Sequence, residues 1–153
     1  KELVKAVELS DKLLRATINK DELTVAEIIG EAHQANTSPK FYNNEQALRS
    51  VVIMAYLSSV DDYIRFEELA SGKGYIDLLF LPALQSSKPA LIIELKWNKS
   101  AEKAVQQEQD QQYWKFAKQF RYKGKILLVG INYNSKTKKH TCKIKEIESL
   151  EKN

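Results

Sequence analysis

The chain has 153 residues, 43% of them hydrophobic, with one Cys, two His and a formal net charge of +4. That length supports one domain with a substantial core, while no run approaches the eighteen or so apolar residues of a membrane helix and no charged-then-apolar secretion signal opens the chain. The single Cys142 excludes an internal disulfide framework and, with so few His, argues against a soft zinc centre; oxygen ligands for a hard cation, and a reducing, cytoplasmic setting, remain.

The chain opens on Lys1 and its one methionine is Met54, so it reads as a piece of a longer protein. Residues 3–16 space their apolar side chains as an amphipathic helix does. Thr24 and Glu27 form a capping-box pattern that predicts a second helix to about His33. After the loop 36–44, Asn43 or Asn44 is the expected cap of a third helix, EQALRSVVIMAYLSS, with Leu48, Val51, Val52 and Ala55 on its core face. Glu45 precedes Leu48 and Val52 by three and seven residues, so it is expected on that same buried edge. The period then changes to that of strands, at 62–69, 75–82, 89–97, 125–133 and 140–148. Between the third and fourth, a helix is predicted from Ser100, its N-cap, to about Phe120.

Charge is uneven along this order. From Lys118 to Asn153 there are ten Lys or Arg against three acids, and residues 1–117 hold fourteen against seventeen. A basic end suits a polyanion such as nucleic acid, and suits a solvated lysine surface equally well.

The third strand, PALIIELKW, is apolar except for Glu94 and Lys96, which alternation puts on one face with Ile92. On the preceding strand Asp77, Leu79 and Leu81 share a face, and Pro82 and Pro89 bracket the connection. Antiparallel pairing centred on that connection sets Asp77 across from Glu94, with Lys96 one step along; a slip of one residue would separate them. Two facing carboxylates in an apolar sheet need a shared proton, a basic neighbour or a cation. A divalent ion fits, with the Leu95 carbonyl completing its ligands and Lys96 orienting water or stabilising charge on a phosphate. An ion pair of Lys96 with either acid is the plainer alternative. His33 and His140, far apart in the chain, and Cys142, beside Ile144, are expected to be structural; Trp97, Tyr113 and Trp114 flank the acids and are able to stack on bases or pack the core. There is no GxxxxGK[ST] phosphate loop.

Gly74-Tyr75-Ile76-Asp77, followed after sixteen residues by Glu94-Leu95-Lys96, resembles the signature of the PD-(D/E)xK nucleases, with Ile76 where many members have Pro. The strings GKGYIDLLFLP, PALIIELKWNKSAEKA and ILLVGINYNSKTKKH resemble the branch found C-terminal to an AAA-type ATPase-like domain in bacterial proteins. The resemblance implies an α/β fold with a restriction-endonuclease-like αβββαβ core, a central mixed sheet flanked by helices. Residues 1–40 would then be an N-terminal helical extension and 41–153 the nuclease-like unit. It further implies Asp77 and Glu94 as Mg²⁺ or Mn²⁺ ligands with Leu95, Lys96 as catalytic lysine, Glu45 as an added acid, and Gln107 with Tyr113 on the following helix. Gln109 or Gln111 fit the same place as Gln107. The implied partner is nucleic acid, DNA first, without a membrane; the alternative is a non-catalytic module that binds nucleic acid or protein and regulates an attached ATPase-like domain.

Overall fold

A computed structural model of the chain describes residues 2–36, 45–71 and 74–148. Helices α1 (Glu2–Ile18), α2 (Glu22–Asn36) and α3 (Glu45–Ala55) come first, and a 3₁₀ turn, Leu57–Asp61, closes the helical part. Strands β1 (Tyr63–Ser71), β2 (Gly74–Pro82) and β3 (Ala90–Trp97) follow, then α4 (Ala101–Asp110), a 3₁₀ turn (Tyr113–Lys115), α5 (Phe116–Gln119), β4 (Lys125–Asn134) and β5 (Lys139–Glu148). The strands form one sheet in the order β1-β2-β3-β4-β5, with β3 and β4 parallel and the other neighbours antiparallel. Parallel neighbours require a crossover, and α4 and α5 provide it. This is the expected α/β architecture, a mixed sheet flanked by helices.

Side chains leave the sheet in two directions, and each face has its own core. Leu78, Phe80, Leu91, Ile93, Leu127 and Val129 meet Leu13, Ile29, Leu48 and Val52 of α1–α3, so α1 and α2 share their core with the sheet. On the other face Leu79, Ile92, Ile126 and Leu128 meet Val105, Tyr113 and Phe116. Gly130 of β4 sets the height of α4, since a Cβ there would run into the Ala101 carbonyl and the Ala104 methyl. Glycine at this position lets the helix sit low on the sheet.

Local chemistry moved several boundaries. Asp21 rather than Thr24 starts α2, because its carboxylate accepts from the Thr24 amide (3.3 Å) and hydroxyl (2.6 Å) and is held below its usual pKa by those bonds. The helix predicted over Ser100–Phe120 breaks at Gln112, which adopts φ 57° and turns Tyr113 into the core. Ser100 does cap α4, accepting from the Lys103 amide at 3.0 Å. The third helix gives way to a 3₁₀ turn after Ala55. The loop and the Asn43 or Asn44 cap lie outside the described residues.

Candidate active site

The β2–β3 ladder pairs Leu78 with Ile93, Leu79 with Ile92 and Phe80 with Leu91, which is the register expected from the Pro-bracketed connection. The pairs do not extend to Asp77 and Glu94. At that point Asp77 departs from the ladder, and its Oδ2 accepts the Leu95 amide hydrogen at 2.9 Å in place of a backbone carbonyl. On the other side of β2, the β1 ladder skips the same level: Glu68, facing Asp77 between the pairs Glu67–Leu78 and Leu69–Ile76, adopts φ 51°. The irregularity turns Asp77 toward β3 and leaves its second oxygen for Arg49, whose Nη2 donates to Oδ1 at 2.8 Å while Nη1 lies 3.4 Å from Glu68.

Glu94 is 5% exposed. Its Oε2 accepts from Gln107 Nε2 at 2.7 Å and lies 3.5 Å from Lys96 Nζ. Its Oε1 is buried and finds no hydrogen-bond partner among the described residues. Burial first, then the Asp77 carboxylate beside it, push the Glu94 carboxyl up to about 8, and Lys96 opposes the rise. Lys96 Nζ also donates to Gln107 Oε1. Gln107 therefore holds the acid with its amide and the ammonium with its carbonyl, and its Nε2 further reaches the hydroxyl of buried Tyr113 at 3.1 Å.

Of the residues expected in the site, Asp77, Glu94, Lys96, Leu95 and Gln107 are brought together. Gln107, rather than Gln109 or Gln111, makes these contacts, because it lies on the edge of α4 that overhangs β3. Glu45 is not joined to them: it is exposed on the first turn of α3 and does not share the buried edge of Leu48 and Val52. The chain enters α3 at that turn, and Arg49, one turn further on, is the α3 side chain that reaches Asp77. Trp97 leaves β3 on the opposite face and packs against Tyr133 with centroids 4.8 Å apart. His33 and His140, unrelated in the chain, meet there too, Nδ1 to Nε2 at 2.8 Å.

Two residues were not anticipated. Arg49 carries a weak sequence signal, one turn after Glu45 on the helix leading to the first strand. Glu108 carries a stronger one, because it completes the buried row Ala101, Ala104, Val105 of α4. It is fully buried, with neither carboxyl oxygen partnered among the described residues. Burial, then the fields of Glu94 and Asp77, raise its pKa well above the carboxylate range.

Fit to a divalent cation rests on the buried, unpartnered Glu94 Oε1 beside Asp77. A cation there would offset the repulsion that otherwise keeps a proton on Glu94. Among the described residues each Asp77 oxygen has one partner, and a carboxylate oxygen has two lone-pair directions, so Asp77 retains acceptor capacity. Among the described residues no three His, Cys, Asp or Glu side chains gather closely enough to hold a metal, so backbone and solvent oxygens would complete the shell. No described helix is long and apolar enough to cross a membrane.

No curated protein matches the chain. The family profile of the PD-(D/E)XK nuclease superfamily matches residues 43–143, a span that holds Asp77, Glu94, Lys96 and Gln107 on the elements just described, and the chain belongs to that superfamily.

Proposed function

We propose that this domain is a metal-dependent nuclease that hydrolyses phosphodiester bonds of nucleic acid, DNA in the first place. The observation that carries the reading is the convergence of Asp77, Glu94, Lys96 and Gln107 around a buried carboxylate oxygen with no partner among the described residues. Asp77, Glu94 and the Leu95 carbonyl are the proposed ligands of Mg²⁺ or Mn²⁺. When bound, such an ion polarises a phosphate oxygen and lowers the pKa of water.

The chain's own groups do the rest. Gln107 fixes the Lys96 ammonium beside Glu94, so its charge is in place before substrate arrives and needs no reorganisation during the reaction. Lys96 orients the attacking water or stabilises charge growing on the phosphate. The Leu95 amide and Arg49 hold the Asp77 carboxylate in one orientation. Glu45, exposed at the head of α3, is assigned to the rim of the site. The lone half-buried Cys142 agrees with a cytoplasmic setting, and the strings at 72–82, 89–104 and 126–140 support attachment to an ATPase-like domain in a longer bacterial protein.

A second reading is favoured by one contact: Arg49 gives Asp77 the positive partner that a cation would otherwise supply. On that reading the fold is a non-catalytic module that binds nucleic acid or protein and regulates the ATPase-like domain. Incubation of labelled DNA with the domain and Mg²⁺ or Mn²⁺, beside Asp77→Ala and Lys96→Ala, separates the two. Cleavage by the unsubstituted domain alone supports the nuclease; no cleavage, or equal cleavage by all three, removes the catalytic reading.

A further inference from the structure

We infer that a phosphate track leads out of the site past the start of α4, built by Lys103 on the helix, Lys99 just before it and, from the β4–β5 turn, Lys136; the inference rests on the nuclease reading and specifies how substrate lies. The starting point is a latch. Asn98, just after β3 and at φ 56°, donates from Nδ2 to Ser135 Oγ (2.9 Å) and accepts the Ser135 amide on Oδ1 (2.7 Å). Its own amide donates to the Tyr133 carbonyl at 2.7 Å. The Lys99 amide donates to Asn132 Oδ1 at 2.9 Å, and Asn132 is the β4 neighbour of Lys96. The β3–α4 loop and the β4–β5 turn are therefore tied together a few residues beyond Lys96, and the turn is itself closed by Asn134 Oδ1 accepting the Lys136 amide.

The helix then sets direction. Residues four apart lie on one row of a helix surface. Lys103 is one turn before Gln107, which touches both Glu94 and Lys96, while Lys99 precedes the Ser100 N-cap and is held outside the helix by the bond from its amide to Asn132. Lys99, Lys103 and Lys136 are all exposed, and none is in an ion pair among the described residues. The acids of α4 stand on the next row: Gln106 Nε2 donates to Asp110 Oδ1 at 2.8 Å, one turn after exposed Glu102. The stretch of chain that makes the turn carries no acid of its own, since no Asp or Glu occurs between Gln111 and Lys145. Three lysines held on rigid backbone, leading to a half-buried lysine at the reacting centre, suit successive phosphates of one strand.

The test measures affinity of the chain for a fluorescein-labelled DNA duplex by anisotropy with Ca²⁺ present, between about 50 and 200 mM KCl. The variant is Lys99→Gln/Lys103→Gln/Lys136→Gln; the control, Lys115→Gln/Lys118→Gln/Lys123→Gln, removes equal charge from exposed positions elsewhere. The track variant is expected to bind about tenfold or more weakly at low salt, with the slope of log K against log salt reduced by about two to three, while the control moves much less. An unchanged slope in the track variant, or an equal loss in the control, overturns the track and leaves the nuclease reading standing if cleavage persists. Absence of both binding and cleavage in the unsubstituted chain overturns the two together.

Discussion

Asp77 accepts the Leu95 amide hydrogen on its carboxylate at 2.9 Å, at the level where the β2–β3 ladder ends. A side chain here does the work of a strand carbonyl, so fold and site depend on the same atoms. Asp77→Asn keeps an oxygen for that amide and removes the charge, whereas Asp77→Ala removes both. The alanine variant is expected to lose about 1–3 kcal/mol, because the Leu95 amide and Arg49 lose their partner, and the asparagine variant about 1 or less. Both are expected to lose cleavage. Urea unfolding beside a cleavage assay checks this, and Mn²⁺-dependent cutting by Asp77→Asn would show that the charge is dispensable.

Glu94 makes stability pH-dependent in an unusual direction. Its carboxyl titrates near 8 when folded and near 4.5 when free. Between those values the unfolded chain has released the proton and the folded chain retains it, so stability falls as pH rises, by about 1.4 kcal/mol per unit for one such group. Glu108, raised in the same direction, adds to the slope. The expected outcome is a slope between pH 5 and 8 that shrinks in Glu94→Gln and on adding Mn²⁺. Identical slopes for wild type and Glu94→Gln would mean that Glu94 is already charged in the folded protein.

Arg49 decides between the two readings of Asp77. Its guanidinium sits 2.8 Å from Oδ1 and is 20% exposed, so it competes with any cation for the same carboxylate. If the site is a metal centre, Arg49→Met leaves more negative potential at Asp77. Mn²⁺ should then raise the melting temperature of the variant more than that of wild type. If Arg49 is the permanent partner of Asp77, the variant loses a few kcal/mol, as when one member of a buried pair is removed, and Mn²⁺ restores none of it. Thermal melts with and without Mn²⁺ give the answer directly.

The legibility of this site in the sequence follows from the length scale of each constraint. Strand alternation has a period of two and the Pro-bracketed connection sets the register, so local information put Asp77, Glu94 and Lys96 on one face. The hydrogen-bonding of Asp77 to Leu95 needed the end of the β2–β3 ladder, which leaves no pattern in composition. Gln107 stood among several glutamines, and only the placement of α4 on Gly130 selected it. Arg49, with only a weak signal one turn after Glu45, and the His33–His140 pair, with none, depend on how α3 and α2 lie across the sheet. Gln112 broke a helix that propensity favoured, because burying Tyr113 outweighed one left-handed residue.

The histidine pair gives the opposite pH dependence on the other face of the sheet. His33 Nδ1 and His140 Nε2 are 2.8 Å apart, so one ring donates and the other accepts, and the accepting nitrogen must be unprotonated. Burial lowers the pKa of both, and His33 helps to bring His140 down to about 4. The charged groups nearby are Lys139 next in the chain and Glu27 and Glu31, which line the groove on α2 beside His140. Between about 6.5 and 4 the unfolded chain takes up protons that the folded chain refuses, so stability is present above 6.5 and is lost as pH falls through that window. His140 ties β5 to the last turns of α2, while the Ile144 amide ties β5 to Glu22 at its start, so the loss should appear first as loosening of α2. In His140→Gln the acid-side slope is expected to shrink toward that of a chain without the pair, while the slope from Glu94 above pH 5 stays. Hydrogen exchange at α2 amides between pH 4.5 and 7, compared for the two proteins, reads it; equal acid sensitivity would show that the pair does not govern how α2 is held.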